Sequence, residues 1–185
     1  MKFERLAIPE IVKITPARFG DNRGYFSEVF KDEWFRQNVA DTSFVQDNQS
    51  LSDAAGTIRG LHLQLDPFAQ GKLVRCIAGA IFDVAVDIRV GSPSFGRWVG
   101  VELTAGNGDQ LWIPPGFAHG FATLTSDCVI LYKVTAPYSA AHDRGLLWND
   151  PDIGIDWPVA VDGAVLSDKD MKQPRLADLP PSFAY

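Results

Sequence analysis

The chain is poor in cysteine, poor in histidine and short of positive charge, and these shortages narrow what it can be. Only Cys76 and Cys128 occur in 185 residues. They form no CxxC pair and build no disulfide framework, so buried free thiols are expected. Lys and Arg number 17 against 23 Asp and Glu, a formal net charge of -6. That balance argues against nucleic acid as a partner and leaves room for a local basic pocket facing a small phosphorylated ligand. No apolar run approaches the ~20 residues that cross a bilayer. Glu4 and Arg5 interrupt the opening stretch, unlike a secretory leader, so a soluble, cytoplasmic protein without a membrane partner is expected. Linkers, repeats and low-complexity tracts are also missing. With 46% hydrophobic and 22% charged residues, the chain reads as globular, one domain over residues 1–185.

Helical patterning is scarce. Asp32 is expected to cap a short turn through Glu33, Trp34 and Phe35. Ser167 is expected to open another, with Asp170 three residues on as a capping-box partner. The tail over 174–181 reads as irregular and surface-lying. What is abundant is alternation. Leu61, Leu63 and Leu65 alternate with His62 and Gln64. Phe82, Val84, Val86 and Ile88 alternate with Asp83, Ala85 and Asp87. Runs at 72–77, 99–103, 111–113, 120–124 and 129–134 are separated by Gly, Pro and Asn, including the Gly91-Ser92-Pro93 and Gly106-Asn107-Gly108 turns. Short strands at this spacing predict an antiparallel sandwich or barrel. The period of two places His62 and Gln64 on one strand face, opposite the leucines, and Ile130, Tyr132 and Val134 on one face, opposite Leu131 and Lys133. Polar groups turned inward in an all-β fold need partners or a ligand.

The three histidines are His62, His119 and His142. His62 stands at a strand start after Arg59-Gly60-Leu61. His119 follows Pro114-Pro115-Gly116, a stiffened turn entering a strand. His142 lies in a polar loop. A metal-binding jelly roll of the cupin kind uses a His-x-His pair, a following Glu and a later His. Here the pair reads His62-Leu63-Gln64, and Gln70 and Lys72 stand near where the acid belongs. An ammonium repels a divalent cation, so no metal and no cofactor are expected. A histidine without a metal serves as a general base, oriented by a carboxylate on its other nitrogen. Asp170 and Asp83 are both candidates for that carboxylate.

Taken together, these segments resemble the dTDP-4-dehydrorhamnose 3,5-epimerases. The match runs in order through residues 21–26 with Glu28, Gln46-Asp47-Asn48 with Ser50, Arg59 to His62 with Gln64, and 70–74. It continues through 82–87, 112–121, 131–133, 148–151, Trp157-Pro158, and Leu166-Ser167 with Lys169-Asp170. The resemblance implies a cupin-like double-stranded β-helix (jelly roll), all-β with a few short helices. It implies a cofactor-independent isomerase that inverts C3 and C5 of a dTDP-linked 4-keto-6-deoxy sugar in dTDP-L-rhamnose biosynthesis. His62 would be the base, Asp170 its orienting partner, Lys72 the cation facing the enolate oxygen, and Tyr132 the acid on the opposite face. Arg23, Arg59 and Lys169 would hold diphosphate or sugar, alongside Lys72. Phe26, Glu28, Gln46, Asn48 and His119 would contact sugar or base, and Tyr138 would stack on thymine. Five residues after Tyr138 the family usually carries Glu; here Asp143 is one methylene shorter. The resemblance further implies a homodimer that exchanges N-terminal strands, for which Phe3, Leu6, Ile8, Ile11, Val12 and Ile14 supply the apolar positions.

Overall fold

The alternating segments form antiparallel ladders in a computed structural model describing residues 1–185. In chain order the strands are β1 (Lys2–Arg5), β2 (Val12–Thr15), β3 (Phe19–Asp21), β4 (Gly24–Phe26), β5 (Gln46–Ser52), β6 (Ile58–Gln64), β7 (Lys72–Ala78) and β8 (Ala80–Asp87). They continue as β9 (Arg89–Val90), β10 (Trp98–Thr104), β11 (Gln110–Ile113), β12 (Phe117–Thr123), β13 (Cys128–Val134), β14 (Asp143–Gly145) and β15 (Phe183–Ala184). One α-helix, α1 (Asp32–Asn38), and three short 3-10 turns complete the chain.

Two large sheets carry the structure. One has six strands in the order β1-β2-β11-β7-β13-β5; the other has five in the order β10-β8-β12-β6-β14. Between them lies a core that draws Val74 and Cys76 from β7, Ile130 from β13, Ile81 and Ala85 from β8, and Phe121 from β12. This is the expected jelly roll.

Both outer faces are also covered. Leu61 and Leu63 of β6 and Val84 and Val86 of β8 turn outward and pack under Ile153, Trp157, Leu176 and Phe183 of the tail. Over 174–181 the chain is irregular and surface-lying as expected, apart from one 3-10 turn at Leu176–Asp178, and it rests on the apolar sheet face through the partly buried Leu176 and Leu179. On the six-stranded sheet, Leu73 and Trp112 turn outward to meet Phe35 of α1. Since both outer faces are apolar, the side chains on the alternate positions of β6, β7, β8 and β12 point between the sheets. These include His62, Lys72, Asp83 and His119.

Two local expectations need correction. Asp32 does not cap α1: Lys31 holds that position without a side-chain bond. Asp32 is already helical and accepts from Arg36 Nε at 2.9 Å, one turn on. Ser167 does accept the backbone N–H of Asp170 at 3.1 Å. The reciprocal half of that box is missing, because the Asp170 carboxylate is turned toward His62. Cys76 and Cys128 are buried and free, and burial pushes the Cys76 thiol up to about 11, so both behave as core residues.

Candidate active site

Neighbouring strands β6 and β12 run so close that a Cβ on Gly60 would lie 2.5 Å from Gly120 Cα, and Gly60 itself sits at φ +136. Only glycine fits there. The ladder that follows places His62 directly opposite His119. Each imidazole meets its own carboxylate. His62 Nε2 lies 2.6 Å from Asp170 Oδ1, across 108 residues of chain. His119 Nε2 lies 2.8 Å from Asp83 Oδ1 on β8. The two aspartates that stood as alternatives in the sequence thus serve two different histidines. Alternation along β8 set Asp83 opposite Phe82, Val84 and Val86, and only the cover over those apolar residues turns it between the sheets.

Two adjoining cavities of about 390 and 420 Å³ open around these groups, and both are lined by His62, Lys72, Tyr132 and Lys169. The first also has Gln46, Asn48, Tyr138 and Asp143 in its wall. The second has Arg59, His119 and Asp170. His62 comes from the five-stranded sheet, whereas Lys72 and Tyr132 come from the six-stranded sheet, so the cleft is walled by both. Arg23, Phe26 and Glu28 line neither cavity. They sit on and just after the β3–β4 hairpin, exposed to solvent, and Arg23 is paired with Asp21 at 2.6 Å. His142 also stays outside, accepting or donating at 2.8 Å with Ser139 Oγ.

Burial sets the charges of the cleft. Lys72 is 8% exposed, and its Nζ donates one hydrogen bond, to the His62 carbonyl at 3.3 Å. Desolvation lowers its pKa to about 8, against the pull of Asp83 and Asp143. Desolvation likewise lowers His119, opposed by Asp83, and favours a neutral ring that donates to that carboxylate. Tyr132 is raised by desolvation, so its hydroxyl keeps its proton. Burial works to raise Asp170 too, but the His62 contact and the bonds from Ser167 and Gly60 outweigh it and hold the carboxyl below its ordinary value. The result is an ionised Asp170 beside His62, a protonated phenol and a partly desolvated ammonium around one cavity.

Lys169 pairs with Asp143, which also accepts from the Tyr138 hydroxyl at 3.2 Å. The shorter acid therefore still reaches both of its neighbours. No three His, Cys, Asp or Glu side chains are placed to hold a metal ion. Gln64, where a metal-binding jelly roll carries its second histidine, has its amide fully engaged by the backbone of two loops.

Residues 5–178 match the family model described as dTDP-4-dehydrorhamnose 3,5-epimerase. The chain belongs to this family. It is 65% identical over 185 residues to the dTDP-4-dehydrorhamnose 3,5-epimerase of Sinorhizobium fredii, covering 100% of this chain and 94% of that protein. It is 50% identical over 179 residues to the enzyme of the same name from Shigella flexneri, covering 96% of this chain and 97% of that one. Among solved structures, the dTDP-6-deoxy-D-glucose-3,5-epimerase of Legionella pneumophila in complex with dTDP-4-keto-L-rhamnose superposes with a TM-score of 0.95 at 41% identity. That superposition covers 100% of this chain and 98% of the other.

Proposed function

We propose that the chain catalyses the 3,5-epimerisation of dTDP-4-dehydro-6-deoxy-D-glucose to dTDP-4-dehydro-L-rhamnose, in dTDP-L-rhamnose biosynthesis, by proton transfer through an enolate. The observation that carries this reading is the placement of a carboxylate-bound histidine on one sheet and a protonated tyrosine on the other, around a cleft that also contains a buried ammonium.

The C4 ketone acidifies the hydrogens at C3 and C5. With His62 Nε2–H donated to Asp170, Nδ1 carries the lone pair that removes one of them. The negative charge moves to the C4 oxygen, where Lys72 stabilises it in a desolvated site. Tyr132 then delivers its proton to the opposite face of the carbon, which inverts it. His62 gives the abstracted proton to solvent and the Tyr132 phenolate takes one back, and the same two transfers at the second carbon complete the reaction. No electron leaves the substrate, so the step balances without a redox cofactor. Arg59 and Lys169 supply positive charge for the diphosphate, Gln46, Asn48 and His119 supply polar contacts to the sugar, and Tyr138 supplies a face for the base.

The same reading assigns Arg23, Phe26 and Glu28 to the substrate, yet in their own chain they line neither of the two cleft cavities. Phe19, Tyr25 and Phe26 expose 61%, 60% and 67% of their surface on that hairpin. A homodimer in which each hairpin enters its partner's cleft accounts for both facts. Mixing inactive Arg23→Ala with inactive His62→Ala protein tests this, since a mixed dimer regains one intact site; no recovery of activity argues against a hairpin shared between chains. No helix is long and apolar enough to cross a membrane, and the proposed setting is the cytoplasm.

The decisive experiment incubates the protein with dTDP-4-keto-6-deoxyglucose in D₂O and locates the deuterium by NMR. Enzyme-dependent label at C3 and C5 supports the proposal. Label at one carbon reduces it to a monofunctional epimerase, and no label with binding intact refutes it.

A further inference from the structure

Gln64 is two residues from His62 on the same strand face and is 5% exposed. All three hydrogen bonds that its amide makes run to backbone groups of neighbouring loops. Nε2 donates to the Phe68 carbonyl at 2.7 Å and to the Pro137 carbonyl at 3.1 Å, while Oε1 accepts the Ser139 N–H at 2.7 Å. Two carbonyls on one end and an N–H on the other fix the orientation of the amide. The residues it grips at 137 and 139 flank Tyr138, whose ring is 61% exposed at the cleft wall. The ring's one polar bond runs to Asp143, the residue paired with Gln64 across the β6–β14 ladder. An exposed ring on a loop has many accessible orientations, and a ligand that needs one of them bears the cost of ordering it. Here the backbone on both sides of the ring is tied to the strand that carries His62.

We propose that Gln64 is a positioning residue for nucleotide recognition: it fixes Tyr138 in register with His62, so that the stacked base and the reacting sugar are held at one span. This rests on the reading above in which Tyr138 stacks on the base. Gln64 forms part of the cavity wall, but its three hydrogen bonds run to the loop, and it acts through them.

The test compares wild type with Gln64→Met, which keeps the length and volume and removes all three bonds. Calorimetric titration with dTDP should give a dissociation constant about tenfold higher in the variant, the size expected for loss of organised hydrogen bonding. KM for the dTDP-sugar should rise in parallel while kcat stays within about twofold, because the reacting groups are untouched. In a Tyr138→Ala background the same substitution should have no further effect, since the residue it positions is gone. Additive effects in the double variant, or a fall in kcat with KM unchanged, overturn the proposal. If Tyr138→Ala alone leaves dTDP binding unchanged, the stacking reading fails and takes the proposal with it. If Tyr138→Ala weakens binding and Gln64→Met does not, only the proposal fails. Should Gln64→Met not fold, amide exchange in wild type serves: the Ser139 N–H should be protected with and without dTDP, and free exchange in both states overturns the clamp.

Discussion

Lys72→Met should make this protein more stable and nearly inactive. The fall of the Lys72 pKa from its ordinary 10.5 to about 8 corresponds to ~3 kcal/mol, at about 1.36 kcal/mol per pKa unit. Because the folded value is the lower one, the charged lysine opposes folding. This penalty is complete below pH 8, declines between about 8 and 10.5, and is absent above that. Methionine keeps the bulk of the side chain and loses one hydrogen bond to the His62 carbonyl, worth about 1 kcal/mol, so relief of the charge dominates. For a chain of this length each kcal/mol moves Tm by roughly 2–4 °C, and the net gain at pH 7 is expected to be about 4–8 °C. Thermal melts at pH 7 and 9.5 check both the sign and the window, since the penalty at pH 9.5 is less than roughly half of that at pH 7. Turnover should fall by at least ~10² through loss of enolate stabilisation. A variant that melts at or below wild type at pH 7, or a difference that does not narrow at pH 9.5, refutes the reasoning. The expected outcome is a trade of stability for function at one buried charge.

Three further outcomes are expected. Asp170→Asn should lower turnover by ~10² to 10⁴ with dTDP affinity nearly unchanged, because the imidazole loses the anion that orients it; equal turnover would remove Asp170 from the mechanism. Gly60→Ala should abolish soluble, folded protein or cut Tm severely, since its Cβ would lie 2.5 Å from Gly120 Cα; a normal melt would show that β6 and β12 can separate. Asp87 is fully buried, and burial alone would raise its pKa, but bonds from Arg89, Ser92 and Ser94 hold it at about 2. Its stabilisation of ~2 kcal/mol is present above pH 3.8 and is lost as pH falls through 2. Asp87→Asn should therefore lower Tm at pH 7 and flatten the acid limb of stability, which a melt series from pH 2 to 7 would record.

The parts of this architecture that were legible in the sequence are those governed by local period. Alternation along β6 and β13 grouped His62 with Gln64 and Tyr132 with Ile130 and Val134, because side chains along a strand repeat with a period of two. Residues that meet across long loops were not legible in that way. Nothing local links Asp170 to His62, and β14 is three residues, Asp143–Gly145, too short to show a period. The Asp32 assignment failed because capping propensity is weak beside the packing of Phe35, which decides where α1 begins. Arg23 and Phe26 on the β3–β4 hairpin, and Glu28 just after it, are exposed in the single chain, and strand alternation gives exposed residues no role.

The walls of the cleft belong to different sheets, and this has a consequence for how the chemistry can be altered. Facing sheets stand about 10 Å apart, at a distance set by the side chains between them. Here those side chains include Val74, Cys76, Ile81 and Ile130, none of which touches the cavities. They act as a spacer between the strand of His62 and the strands of Tyr132 and Lys72. Adding or removing a methylene in that layer should change how readily one face of the sugar ring is deprotonated and the other reprotonated. The ratio of single to double inversion then becomes a property of the hydrophobic core, open to adjustment by residues that never meet the substrate.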